Sequence, residues 1–492
     1  MKDVDFESTY ADLPERFYTR MQPTPVARPV LVAFNQPLAD ELGLDGDVLT
    51  STDGIELLAG NRVADDSRPL AMAYAGHQFG NFVPQLGDGR AILLGEVVDR
   101  DGLRRDIQLK GAGPTPYSRN GDGRAALGPV LREYIVSEAM AKLAIPTTRS
   151  LAAVQTGERV FRDKILPGAI LTRVARSHVR VGTFQYFVAR GDGEAVRVLA
   201  DYVIQRHYPE VGESQAPYLE LLKRVVEAQA ALVARWMNVG FIHGVMNTDN
   251  SSIAGETIDY GPCAFMDTYD PAKVFSSIDM MGRYAYANQP GIAQWNMACF
   301  AQCLLHLIDA DEATAIAKAQ AVIDSFTDHY TAAWLSGMRA KLGLFDERGE
   351  DQTLADDLLA GMAAGGLDFT NTFRGLSDLV SSDSAAGAQA TIWPDDARRL
   401  PSAWVERWRE RLAAESVDEP TRRAAMNGAN PRFIPRNHRV EAALKAAMAG
   451  DFEPFEKLNA VLARPFDDQP ENAAFADPPE PDEVVRATFC GT

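Results

Sequence analysis

The chain has 492 residues, and its 49 Lys plus Arg against 68 Asp plus Glu give a formal charge of −19. At about 100–200 residues per domain this length fits two to four structural units, and a content of 46% hydrophobic and 24% charged residues excludes wholesale disorder. Such acidity argues against general binding of nucleic acid, whose phosphates require positive surface, but leaves room for a local basic pocket. No apolar run approaches the ~18 residues of a membrane span. The acidic start Met1-Lys2-Asp3-Val4-Asp5-Phe6-Glu7 lacks the apolar core of a secretory signal. Cys263, Cys299, Cys303 and Cys490 are too few and too scattered for a disulfide framework, so the expected location is cytoplasmic.

Residues 1–75 mix short helical patterns with Pro-bearing loops such as Gln22-Pro23-Thr24-Pro25 and are expected to form an N-terminal extension. From 76 the texture changes to Gly-rich turns between short β-type runs. The segments Arg90–Val98 and Leu103–Lys110 flank Asp101-Gly102 and predict a hairpin. After a Gly-rich loop, Leu131–Leu143 has helical spacing and good helix formers. More β-type sequence fills about 148–190. Tyr218–Val239 then carries a broad apolar stripe at helical period, followed by a polar loop, His243–Asn250, and a second short hairpin expected around Ala254-Gly255. Helices are expected from Trp295 to about 345, a surface loop at Ser382–Ala388, and a flexible, Pro- and acid-rich segment at Pro470–Asp482. The resulting expectation is an α+β chain with a β-rich N-lobe (76–200), an α-rich C-lobe (201–400) and a C-terminal helical extension and tail (401–492).

Four chemistry-bearing features follow one another in the order found in protein kinases. Lys110 ends a strand, as does the kinase lysine that touches nucleotide phosphates. Glu133 lies on the next helix, where a carboxylate can pair with that lysine. The loop His243-Gly-Val-Met-Asn-Thr-Asp-Asn250 keeps the His-to-Asn spacing of the kinase catalytic loop. Ile258-Asp259-Tyr260-Gly261 is a variant of the metal-binding Asp-Phe-Gly, and Asn250 and Asp259 would supply hard oxygen ligands for Mg²⁺. Any one of these is weak, but the ordered set predicts a two-lobed, protein-kinase-like fold. One position departs from the pattern. Val245 stands where a kinase keeps its catalytic Asp, which leaves either a nucleotide-binding module without activity or an enzyme using a neighbour such as Asp249 as base. Around these residues, Gly87-Asp88-Gly89-Arg90 and Gly121-Asp122-Gly123-Arg124 offer small-residue loops. Arg173, Arg176 and Arg180 offer guanidinium groups, which suit either phosphates or this chain's many carboxylates.

At these residues the sequence resembles the selenoprotein O family (the YdiU proteins of bacteria), kinase-like enzymes that transfer AMP rather than phosphate. The resemblance is carried by Tyr74–Gly80, Gln85–Arg90, Gln108–Arg119, His243–Asn250, Thr257–Pro262 and Asn430–Asn437. It implies a protein adenylyltransferase that moves AMP from ATP, bound in a flipped orientation, to Ser, Thr or Tyr hydroxyls of protein substrates with Mg²⁺ or Mn²⁺. It further implies that Lys110, Asp122, Gly123, Arg173 and Arg180 hold the terminal phosphates. Gly87, Gly89 and Arg90 would belong to the nucleotide loop, Glu133 would orient Lys110, Asn250 and Asp259 would hold the metal, and Asp249 would accept the proton. The alternatives are a phosphotransferase and a non-catalytic nucleotide-binding regulator.

Cysteine stands at 490, where some members of the family carry selenocysteine, and the resemblance raises a redox clasp between Cys263 and Cys490; two unpaired thiols are the competing expectation. Cys299, Cys303 and His306 share a helical face, but in an apolar helix this reads as core rather than zinc. His77 reads as a hydrogen-bonded structural histidine. Trp404 and Trp408 read as a helix face packed on the core.

Overall fold

The structure, a computed structural model, describes residues 4–380 and 399–489. Its N-terminal half is built on one mostly antiparallel eight-stranded sheet. The strands are β1 (Tyr18–Arg20), β2 (Val30–Phe34), β3 (Leu70–Met72), β6 (Ala91–Val98), β7 (Arg104–Lys110), β8 (Ala125–Ala126), β9 (Arg149–Phe161) and β10 (Ile165–Ala175). They run in the order β1-β3-β6-β7-β10-β9-β2, with β8 on β10. A separate small hairpin, β4 (Gly76–Gln78) and β5 (Asn81–Val83), stands off this sheet. Three strands of the large sheet come from residues ahead of 76, where the sequence suggested only helices and loops. Their pairing partners lie far along the chain, which local patterns do not record.

The expected hairpin at Asp101-Gly102 is β6–β7, with Gly102 at φ +79° in the turn. The β-type reading of 148–190 holds for β9 and β10 and then fails. Val181–Val188 is a helix, because Val181, Phe184 and Phe187 recur at helical spacing and bury themselves together in the helical body. The long stripe forms the helix Pro217–Asn238. The hairpin expected at Ala254-Gly255 is wider than anticipated: its two paired segments are β11 (Phe241–Ile242) and β12 (Ala264–Phe265), and between them only Thr248–Asn250 is regular, a single 3₁₀ turn. Helices Gln289–Ile308, Glu312–Asp324 and Phe326–Leu342 follow as expected. The loop expected at Ser382–Ala388 lies outside the described residues.

Three bodies of apolar side chains hold these parts together. The largest fills the helical half and reaches β3 and β6, a second lies between the sheet and the N-terminal helices, and a third joins the helix Leu127–Lys142 to helices Asn437–Met448 and Glu453–Leu462. In the third, Tyr134 packs on Phe455 with ring centroids 5.7 Å apart, so the C-terminal helices buttress the helix that carries Glu133. Pro470–Asp482 is not a loose tail at its start: Pro470–Phe475 is a 3₁₀ turn, and the Ala476 carbonyl accepts hydrogen bonds from Arg436 and Asn371. Trp404 and Trp408 stack 5.8 Å apart and donate their indole N–H groups to the Leu354 and Leu342 carbonyls, as a core-facing helix requires. Among the described residues no helix is long and apolar enough to cross a membrane.

Candidate active site

A cavity of about 520 Å³ opens between the sheet, the Gly-rich loops and the 243–261 segment. Its floor follows from the strand period of two. Gln108 and Lys110 on β7 face the same side, as do Leu171 and Arg173 on β10, and register places Arg173 opposite Gln108. Lys110 Nζ donates to Glu133 Oε2 at 2.6 Å and to Asp259 Oδ1 at 2.9 Å. Arg173 Nη1 reaches Asp259 Oδ1 at 2.6 Å and Glu133 Oε1 at 3.3 Å, while its Nε and Nη2 are fixed by Gln108 Oε1. Arg180 precedes the helix Val181–Val188; its Nη1 donates to Asp259 Oδ2 at 3.2 Å and to the Asp249 carbonyl at 2.9 Å, and its guanidinium lies 4.5 Å over the Tyr74 ring.

Three cations therefore converge on one carboxylate. Burial opposes the charge on Asp259, but Lys110, Arg173 and Arg180 outweigh it and hold the carboxyl well below the usual range. The backbone of Asp259 sits at φ +63°, the left-handed region that a non-glycine residue seldom occupies. Such strain is kept where surrounding contacts over-determine it.

The opposite wall is the 243–250 loop. His243 Nε2 contacts the Ile258 carbonyl at 2.9 Å and ties the loop to the Asp259 segment. Asn250 turns its amide nitrogen to the Val245 carbonyl at 2.9 Å, which leaves its side-chain oxygen for a cation. Asp249 is almost wholly buried. Its Oδ2 accepts a hydrogen bond from Gln78 Nε2 at 3.2 Å, and its Oδ1 has no partner among the described residues. Burial, with too few hydrogen bonds to compensate, pushes this carboxyl up to about 6. Gly76 of β4 packs so tightly against Asp249 that a Cβ there would collide with the carboxylate. The β4–β5 hairpin is further stitched to the loop by His77 N–H to Thr248 Oγ1 (2.7 Å) and Phe79 N–H to Asn247 Oδ1 (3.1 Å).

The rim is made by the two Gly-Asp-Gly-Arg segments. Gly87, at φ +109°, lies against the Tyr117 ring with no room for a Cβ. Gly89, Arg90 and Gly123 also line the cavity. Asp122 pairs in a two-pronged fashion with Arg162, both N···O distances being 2.9 Å. That hydrogen bonding outweighs the opposing effect of burial and lowers its carboxyl.

The residues expected to bind nucleotide, hold the metal or take the proton (Gly87, Gly89, Arg90, Lys110, Asp122, Gly123, Glu133, Arg173, Arg180, Asp249, Asn250 and Asp259) line this one cavity. Arg176 does not; it turns away from the cavity, its backbone N–H on Glu256 and its guanidinium on the Ala254 carbonyl. Sequence reasoning missed Gln78, Gln108 and Arg162 as supports. It also missed Asp88, which is buried, accepts from Met72 N–H and Gln108 Nε2, and is pushed by burial up to about 6. Only Gln78, Asp88 and Gln108 lay inside strings that had drawn attention; nothing local marks Arg162.

His77 is a structural histidine, bonded to Gln185 at 2.8 Å and packed edge-on against Trp295. Cys299 and Cys303 are buried in the helical core, and no group of metal-binding side chains forms there among the described residues. Cys263 is buried beneath the cavity, and Thr488 docks beside it by donating to the Pro262 carbonyl at 2.5 Å; Cys490 lies outside the described residues.

A cationic floor, a buried carboxylate with an unpartnered oxygen and a glycine-lined rim make a site for moving a phosphorus-centred group from a polyphosphate to a hydroxyl. That is the class of phosphoryl and nucleotidyl transferases. Within it, the family described as Protein adenylyltransferase SelO matches residues 1–463. A protein nucleotidyltransferase YdiU of Rhodopseudomonas palustris (strain BisB5) is 62% identical over 488 residues, covering 99% of both chains. One of Bradyrhizobium diazoefficiens is 61% identical over 488 residues with the same coverage. The chain belongs to the SelO family, and it is a protein nucleotidyltransferase. Membership in that family implies the kinase-like fold, with which the sheet-bearing N-terminal half and the helical C-terminal half agree.

Proposed function

We propose that the cavity takes ATP with its terminal phosphates on Lys110, Arg173 and Arg180, flipped relative to a kinase, and passes AMP to a Ser, Thr or Tyr hydroxyl of a protein. The observation that carries this reading is Asp249: a buried carboxylate that lines the nucleotide cavity with one oxygen unpartnered among the described residues, while Val245 occupies the usual base position. The Asp249 carboxylate takes the hydroxyl proton as the acceptor oxygen bonds to the α-phosphorus. The bond from that phosphorus to the β-bridging oxygen breaks, and pyrophosphate leaves on the cationic floor. Arg162 adds a guanidinium at the rim, and Asp122 acts through it, since a carboxylate alone repels phosphate.

Asn250 and Asp259 fit a hard divalent ion, Mg²⁺ or Mn²⁺. Of the roughly four acceptor positions of a carboxylate, Asp259 uses three on Lys110, Arg173 and Arg180, so one remains on Oδ2. Bound there, the ion would neutralise charge on the phosphate oxygens. The test is transfer of label to acceptor protein from ATP labelled at the α- or the γ-phosphate. Label from the α position alone supports AMP transfer, and label from the γ position overturns it. The Asp249→Asn variant is expected to bind ATP normally and to lose roughly 10²–10⁴ in transfer rate.

A further inference from the structure

A second, open groove adjoins the nucleotide cavity, and Phe79 lines both. It runs between the tip of the β4–β5 hairpin, the 277–283 loop and the start of the helix Gln289–Ile308, with Met281, Arg283 and Ile292 in its walls. The loop is unusually apolar for its exposure. Met280 and Met281 are 87% and 93% exposed, and Ile278, three residues before Met281, lines the nucleotide cavity. Flexible, polarisable methionine side chains suit a surface that adapts to more than one partner.

Arg283 gives the groove its charge. Its guanidinium lies 4.8 Å over Trp295 and 5.8 Å from the Tyr284 ring centroid, so it is held in place by aromatic faces. Among the described residues no carboxylate pairs with it. Asp279, the acid nearest in sequence, spends both oxygens on the backbone N–H groups of Arg283 and Tyr284. In a chain with 68 acidic residues, a guanidinium fixed in a groove that adjoins the nucleotide cavity and left without a carboxylate among the described residues is the feature that needs a partner.

We infer that this groove receives the acceptor protein, and that it selects a segment in which the target hydroxyl is followed within a few residues by a carboxylate and an apolar side chain. The carboxylate pairs with Arg283 and the apolar group lies on Met281 and Phe79. Phe79 lines both the nucleotide cavity and the groove, so a peptide whose hydroxyl lies at Asp249 continues past Phe79 into the groove that Arg283 lines. The hairpin couples the two places, because Gln78, which holds Asp249, and Phe79, which walls the groove, are adjacent. This inference rests on the proposed AMP transfer.

The test uses the full chain, α-labelled ATP, Mg²⁺ and two synthetic peptides. Each carries one Tyr and one Leu, flanked by Glu in the first and by Lys in the second. The wild type is expected to prefer the Glu peptide about tenfold in kcat/KM, mainly through KM, as one charge-assisted pair allows. Arg283→Glu reverses the preference while the KM for ATP stays unchanged, which also shows that the variant is folded. Arg283→Gln abolishes the preference, and Met281→Asp weakens both peptides. Labelling of both peptides at equal rates by the wild type, or an unaltered preference in Arg283→Glu, overturns the groove assignment alone. No α-label on any acceptor overturns the transfer reading and this inference with it.

Discussion

Replacing Asp259 by Asn removes the one carboxylate on which Lys110, Arg173 and Arg180 all converge, leaving Glu133 to pair with Lys110 and Arg173 and taking from Arg180 its ion-pair partner. Two opposite consequences follow. Without ligand, the variant holds uncompensated positive charge in a buried site, and loss of one partner of a buried ionic cluster costs roughly 3–5 kcal/mol. With a polyphosphate, the same change removes a repulsion. A phosphate about 5 Å from a carboxylate is repelled by roughly 3 kcal/mol at an effective dielectric of about 20. Allowing for reorganisation, binding of inorganic tripolyphosphate in EDTA should tighten by about tenfold to hundredfold. Isothermal titration of both proteins measures this directly. Transfer from ATP with Mg²⁺ should instead collapse, because the variant loses a metal ligand. Tripolyphosphate binding that is unchanged or weaker in a folded Asp259→Asn variant would refute the placement of phosphates on this cluster.

Three further outcomes are expected. Arg162→Ala should weaken ATP binding about fivefold to tenfold, because it leaves Asp122 unpaired at the rim, and Asp122→Ala in the same chain should recover part of the loss; fluorescence titration with a nucleotide analogue reads both. Arg206 joins Glu96 (3.0 Å) and Asp106 (2.6 Å) where the sheet meets the helical half, so Arg206→Met should cost about 3–5 kcal/mol in urea unfolding. Lys341 is fully buried against Phe373 and Phe369, and burial lowers its ammonium to about 7. The unfolded chain therefore binds a proton that the native chain lacks between pH 7 and the ordinary lysine range, so wild-type stability climbs with pH through that window. Lys341→Met should be more stable, by on the order of 3 kcal/mol at pH 7 after the cation–π contacts are allowed for, with the advantage gone by about pH 10.5.

The features legible in the sequence were those whose chemistry is local. Lys110 ends a strand and Glu133 sits on a helix because alternation and helical spacing are written into their neighbours, and the His243–Asn250 loop announces itself by residue type and spacing. What the sequence could not show is pairing at long range. Arg162 lies on the β9–β10 turn with no motif around it, and only the antiparallel return of β10 brings it to Asp122, 40 residues away. The strands ahead of 76 are invisible for the same reason: β1 and β3 have three residues each, and their partners rather than their composition make them strands. Val181–Val188 failed differently, since the helical spacing of Val181, Phe184 and Phe187 covers only about two turns and is masked by a composition of aromatic and β-branched residues.

The acidity of the chain and its cationic cavity are two sides of one arrangement. Lys110, Arg173 and Arg180 could not stay close together in the folded chain unless acids held them apart from one another, and Glu133 and Asp259 do this by occupying the space between them. Those acids are in turn fixed from outside the cavity. Glu133 rides on a helix buttressed by Phe455 from the far C-terminal region, and Asp259 is pinned in left-handed backbone by contacts on both its oxygens. The cations are therefore positioned before any nucleotide arrives, and an incoming polyphosphate finds donors already aimed rather than having to gather them. Preorganisation of this kind transfers the energetic cost of assembling the charges from the binding step to folding. It also explains why the C-terminal helices, remote in sequence from every motif, belong to the same structural unit as the site.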